Sequence, residues 1–112
     1  MTERVSKTYN IHYLRMNNAK WEALQKVYAR LPGFEGWHDG VPYPYWFGAE
    51  PGDNEPQKSH LWASVEPSGL LVAGQLDISD WIEWQQVFEA LATAAVGFEV
   101  KSAEDDEEWP YA

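Results

Sequence analysis

The sequence predicts an α+β fold: a ferredoxin-like βαββαβ sandwich with a four-stranded antiparallel sheet, two helices on one face, and a long aromatic loop between helix 1 and strand 2. Three observations predict it. Two segments carry apolar residues at helical spacing, a hairpin of self-consistent register lies between them, and β-branched and aromatic runs open and close the chain. Two right-handed βαβ crossovers then give the strand order 4-1-3-2. A small α+β domain of another topology is the alternative. At 112 residues the chain fits a single domain, 1–112. A globule of this size buries roughly two thirds of its unfolded surface without covalent staples. Residues 1–7 and 103–112 are expected to form mobile tails.

Residues 8–16, TYNIHYLRM, have strand composition, with Ile11 and Tyr13 on one face and Leu14 and Met16 on the other. Asn17 and Asn18 then offer N-cap oxygens, and Trp21, Leu24, Val27, Tyr28 and Leu31 recur at helical spacing until Pro32 and Gly33 stop the helix. The expected span is 18–31. Ser59–Glu66 and Leu70–Leu76 flank Pro67, Ser68 and Gly69, a short hairpin loop. Pairing Val65 with Leu70 sets Ala63 opposite Val72 and Leu61 opposite Gly74, which makes one face consistently apolar. The other face pairs Ser64 with Leu71, Trp62 with Ala73 and His60 with Gln75.

Asp77, Ser79 and Asp80 can cap a second helix over 79–95, whose stripe is Trp81, Trp84, Val87, Phe88, Leu91 and Ala95; Gly97 supplies a left-handed stop. Phe98, Val100 and Ser102 alternate with Glu99 and Lys101 as a last strand, ahead of the five acids Glu104–Glu108. The expected core contains Trp21, Leu24, Leu61, Val65, Val72, Trp84, Phe88 and Leu91.

Residues 34–57 have neither period. They set Phe34, Trp37, His38, Tyr43, Tyr45, Trp46 and Phe47 among glycines and prolines, which is turn chemistry. A loop of this length in a compact domain is usually either functional or a misread element. Its tyrosines and tryptophans are the residue types that supply large rigid contact area at interfaces. They could also fold back over the sheet as a satellite core.

Eight basic and eighteen acidic side chains give a formal charge of −10. Such a field repels phosphate backbones and anionic lipid and attracts cationic partners, so neither nucleic acid nor membrane is an expected partner. The hairpin's GLLVAGQL also lacks the basic and aromatic pattern with which related sheets bind RNA. The N-terminal MTERVSKTYN carries charges where a secretory leader needs an apolar run, so a cytoplasmic protein is expected. With no cysteine in the chain, disulfides, thiolate nucleophiles and cysteine metal sites are excluded together.

His12, His38 and His60 lack HxH or HxxxH spacing, and in the expected strand order His12 and His60 lie about 10 Å apart, twice the roughly 4.8 Å strand spacing. No metal or cofactor is expected. Serines without a G-x-S-x-G elbow and the absence of a phosphate-binding glycine motif leave no catalytic residue to assign.

The stretches VPYPYWFG and VEPSGLLVAGQLDISDWIEWQQVFEAL, within a small acidic cysteine-free chain, resemble the cytosolic immunity proteins that bacteria encode beside polymorphic or type VI secreted toxins. The resemblance implies a non-enzymatic inhibitor that occludes a toxin's active site; no functional residue is carried over from it. The residues themselves point to a loop face of Trp37, His38, Asp39, Tyr43, Tyr45 and Trp46, with Glu50, Asp53 and Glu55 nearby, as the binding surface for a basic protein. Electrostatics would speed encounter and ring burial would slow release. The alternative is a small ferredoxin-like ligand-binding protein, or a cofactor-free enzyme, acting as a sheet-packed dimer with Trp62, Leu71 and His12 at the dimer face or pocket. Monomer and homodimer are both open.

Overall fold

A computed structural model describes residues 2–37, 43–49, 51–52, 54–55 and 58–108. In chain order it contains strand β1 (Glu3–Tyr9), a 3-10 turn at Tyr13–Arg15, helix α1 (Asn18–Tyr28), strands β2 (Phe34–Trp37), β3 (Pro44–Trp46), β4 (His60–Glu66) and β5 (Gly69–Leu76), helix α2 (Ile78–Val96), and a second 3-10 turn at Ala103–Asp105. The strands form one antiparallel sheet in the order β1-β5-β4-β3-β2.

The architecture is α+β with two helices, but the sheet has five strands where four were expected. The β4–β5 register is the predicted one, pairing Leu61 with Gly74, Ala63 with Val72 and Val65 with Leu70. The order 4-1-3-2 does not form as a sheet. Residues 98–102 contribute only a single antiparallel bridge, Tyr9 to Ser102. Two further strands instead come from the segment expected to be a loop.

The first strand is Glu3–Tyr9 and not the expected 8–16, of which only Thr8 and Tyr9 are in the sheet and Tyr13–Arg15 form a 3-10 turn, so part of the presumed N-terminal tail is paired with β5 along its length. A side chain ends the strand. Asn10 Oδ1 accepts the Lys101 amide (2.8 Å), its Nδ2 donates to the Glu99 carbonyl (3.0 Å) and to Asp106 Oδ2 (2.6 Å), and its own amide donates to Lys101 (3.0 Å). An asparagine that meets so many backbone and carboxylate groups substitutes for a ladder, and the chain turns out of the sheet. The same bonds hold the acidic segment through Glu108 against the body of the protein, so its described part is docked.

Both helices pack on the sheet face that carries Val5, Tyr9, Leu61, Ala63, Leu70, Val72 and Leu76. α1 is capped by Asn17, whose side chain accepts the Lys20 amide at 2.9 Å. It ends at Tyr28, three residues before the expected Leu31. α2 ends at Gly97, which adopts the left-handed conformation (φ +83°) that glycine tolerates without a Cβ clash. Ring contacts join the layers: Tyr28 stacks on Phe88, Phe88 meets Tyr9 edge-on at 4.8 Å between centroids, and Trp84 meets Trp46 edge-on at 5.0 Å. Of the expected core, Leu24, Leu61, Val72, Trp84 and Phe88 are buried, while Trp21 and Leu91 are partly buried against it. Val65 is exposed, because neither helix reaches over the end of β4.

Short length hid β2 and β3 from periodicity. They span four and three residues, with a register shift between Phe34 and Gly36. Their far end is closed by a contact between Gly33 and Phe47: the Phe47 amide donates to the Gly33 carbonyl at 2.7 Å, and Phe47 itself takes a left-handed φ of 68°. A Cβ on Gly33 would stand 2.6 Å from the Phe47 ring, and Gly33 also has positive φ, so only glycine fits.

Candidate functional site

The expected binding face divides. Trp37, at the end of β2, and Tyr43, one residue before β3, remain exposed at 41% and 39%. Trp46 does not. It is fully buried in β3, where its indole N–H donates to the Tyr28 carbonyl at 3.0 Å and its ring contacts Tyr28, Phe34 and Trp84. The sequence expectation of Trp46 as a contact residue is therefore corrected to a core role. Tyr45 points to the opposite sheet face, half-buried beside its cross-strand partner Trp62. Glu55 is exposed in a turn closed by its amide on the Gly52 carbonyl (3.0 Å). His38, Asp39, Glu50 and Asp53 lie outside the described residues.

Trp37 and Tyr43 meet residues that the loop reading did not include. With Pro44, they wall an apolar groove of about 240 Å³ whose other lining comes from Trp21, Leu24, Gln25 and Tyr28 of α1 and from Ala63, Val65 and Leu70 of the β4–β5 hairpin. Val65 contributes its side chain at 48% exposure. Its place on the apolar face of the hairpin is what aims it into the groove, and the end of α1 leaves it uncovered. Trp21 is extended outward by Tyr13, which stacks on it at 6.4 Å and donates its hydroxyl to the Glu66 carbonyl. Tyr28 forms the floor, and burial pushes its phenol pKa well above the ordinary tyrosine value. It stays neutral, and the groove floor carries no charge.

The flanking charge is mixed. Glu22 and Lys26 are both exposed on α1, and Glu35 is exposed on β2. Around this mixed set of described charges, the chain's −10 sets the wider field.

The helix-free face of the sheet holds a second concavity, about 410 Å³, lined mainly by Arg4, Ser6, His60, Trp62, Gln75 and Gly52. His60 Nδ1 donates to the Lys58 carbonyl at 2.9 Å if that nitrogen carries the ring proton. Trp62 and Leu71 lie on this face as the dimer reading requires. His12 does not line it: it is buried past the end of β1 against Phe98, with Nε2 2.5 Å from Asp106 Oδ2. Asp106 is held at a pKa of about 2, chiefly by the Asn10 amide, against an opposing desolvation, with further help from His12 and the Glu108 amide. This cluster anchors the acidic segment.

Among the described residues, no three histidine, aspartate or glutamate side chains gather where they could hold a metal ion, and no helix is long and apolar enough to cross a membrane. Comparison of the chain with protein-family models, with curated proteins and with solved structures found no match.

Proposed function

We propose that this chain is a non-enzymatic protein-binding module that uses the aromatic groove to seat an apolar side chain of a basic partner, in the manner of an immunity or inhibitor protein. One observation carries the reading: Trp37, Tyr43 and Val65, three of the seven large hydrophobic side chains exposed among the described residues, stand together around a formed apolar groove. Exposed aromatic residues beside a pocket are the usual anchors of an interface. The net charge of −10 favours a cationic protein as the occupant.

Affinity capture from the source lysate, run in parallel with the wild-type chain and with Trp37→Ala and Val65→Asp variants of unchanged fold, tests it. The expected result is a basic protein retained by the wild type at low salt and lost with either variant. Retention that is indifferent to both variants and to salt would overturn it.

A second reading, a small-ligand protein, is favoured by the concavity on the helix-free sheet face. Its size suits a small molecule, and Arg4, His60 and Trp62 supply polar and stacking groups. Resonance shifts confined to His60, Trp62 and Gln75 on addition of a metabolite mixture would support that reading instead.

A further inference from the structure

Among the described residues, no backbone hydrogen bond takes the outward amides of Arg4, Ser6 and Thr8, and the geometry points to this edge of β1 as a strand-addition site for an extended, lysine- or arginine-bearing segment of a partner protein. It is a second surface, independent of the aromatic groove, because β1 and β2 stand at opposite edges of the sheet.

The last strand expected over residues 98–102 fails to form there. Ser102 makes one antiparallel bridge to Tyr9, the Asn10 amide donates to the Lys101 carbonyl, and the chain then leaves in the 3-10 turn at Ala103–Asp105. Because Asn10 faces its backbone away from β5, strand alternation turns the amides and carbonyls of Thr8, Ser6 and Arg4 the same way. Among the described residues no backbone hydrogen bond takes the Arg4, Ser6 or Thr8 amide on that side. A row of unpaired groups along a strand is a template for another strand.

Space and charge select the occupant. A concavity of about 430 Å³ lies along this edge, lined by Ser6, Lys7, Thr8, Ser102, Glu104 and Asp105. Lys7, the residue that would ordinarily guard an edge, is drawn inward: its ammonium bonds Gln85 at 3.1 Å and Glu89 at 3.2 Å. The exposed carboxylates at the mouth are Glu104 and Asp105. A second copy of the chain would bring another −10 to this edge, so a basic segment is favoured over self-pairing.

The test uses the full-length isotope-labelled protein and a synthetic peptide of about eight residues alternating lysine with valine and threonine. At peptide concentrations about ten times its Kd, exchange of the Ser6 and Thr8 amides should slow roughly tenfold. A peptide N-methylated at alternate residues should not protect them. Ser6→Pro removes an outward amide and leaves the β5 ladder intact, as prolines on edge strands do, so it should abolish protection in a folded protein. Asp105→Lys, at an exposed turn, should weaken binding without affecting the fold. Equal binding of the N-methylated or an all-glutamate peptide, shifts mapping to Trp37 and Tyr43 instead of β1, or concentration-dependent self-association through β1 would each overturn the proposal.

Discussion

The indole of Trp46 donates its N–H to the carbonyl of Tyr28 at 3.0 Å, tying the last residue of β3 to the last residue of α1. The Tyr28 carbonyl lies in the last turn of the helix, where carbonyls lack an intrahelical partner. One buried ring thus caps a helix end and fills the core. Trp46→Ala should destabilise the protein by about 3 to 5 kcal/mol through lost burial and a cavity. Trp46→Phe, which keeps most of the volume and leaves the carbonyl only the longer bond from the Leu31 amide (3.3 Å), should cost about 1 kcal/mol. Urea unfolding followed by circular dichroism measures both.

Trp37 should behave in the opposite way. Its ring meets Tyr28 and Phe34 edge-on but is 41% exposed, so Trp37→Ala should cost stability only about 1 kcal/mol. Partner affinity should fall by about 2 kcal/mol or more, mainly through faster dissociation. Glu55→Gln should instead slow association and flatten its salt dependence. Surface plasmon resonance at two salt concentrations separates the rates once the partner is in hand.

Gly74 lies between Val5 and Leu61 in the middle of the sheet, and a Cβ there would stand 2.2 Å from the His60 carbonyl oxygen and 2.9 Å from the Leu61 Cα. Those atoms are backbone and cannot step aside cheaply. Gly74→Ala should therefore cost roughly 3 kcal/mol, read as a lowered midpoint in thermal or urea unfolding. Ala73→Gly, whose side chain is on the helix-free face, should cost only about 1 kcal/mol.

Asp106 is expected to set the acid limit of the docked C-terminal segment. Its carboxyl pKa is lowered from the ordinary value of 3.8 to about 2, so its stabilisation is complete above the ordinary value and is lost as pH falls through about 2. The stability difference between wild type and Asp106→Asn should be constant from neutral pH to about 5, then shrink towards pH 2. Denaturation curves across that range, with amide exchange at Lys101 as a local reading, check it.

Local chemistry carried much of this fold. The hairpin register follows from alternation and the short loop, since pairing Leu61 with Gly74, Ala63 with Val72 and Val65 with Leu70 gathers Leu61, Ala63, Val65, Leu70 and Val72 on one face and leaves Trp62 on the other. The Asn17 cap, the Gly97 stop and the apolar stripes likewise placed both helices to within a few residues. These features depend on neighbours in sequence, which is why they can be read there. The aromatic segment was recognisable as unusual for the same reason.

What reaches across the chain was decided by the tertiary structure. β2 and β3 are too short to show a period, and they exist because β4 offers β3 an edge and Gly33 admits the Phe47 ring. Trp46 and Trp37 are equivalent in local composition and both meet Tyr28, yet one is core and the other groove wall, because Trp84 of α2 packs on the first. Val65 has the pattern of a core residue and becomes exposed because neither helix covers the end of its strand. The last strand is lost to Asn10 and His12, which capture Asp106 from more than ninety residues away and draw the chain off the sheet. Residue type and spacing determined the elements; which faces they cover depended on side chains distant in sequence competing for the same carbonyls, carboxylates and apolar surface.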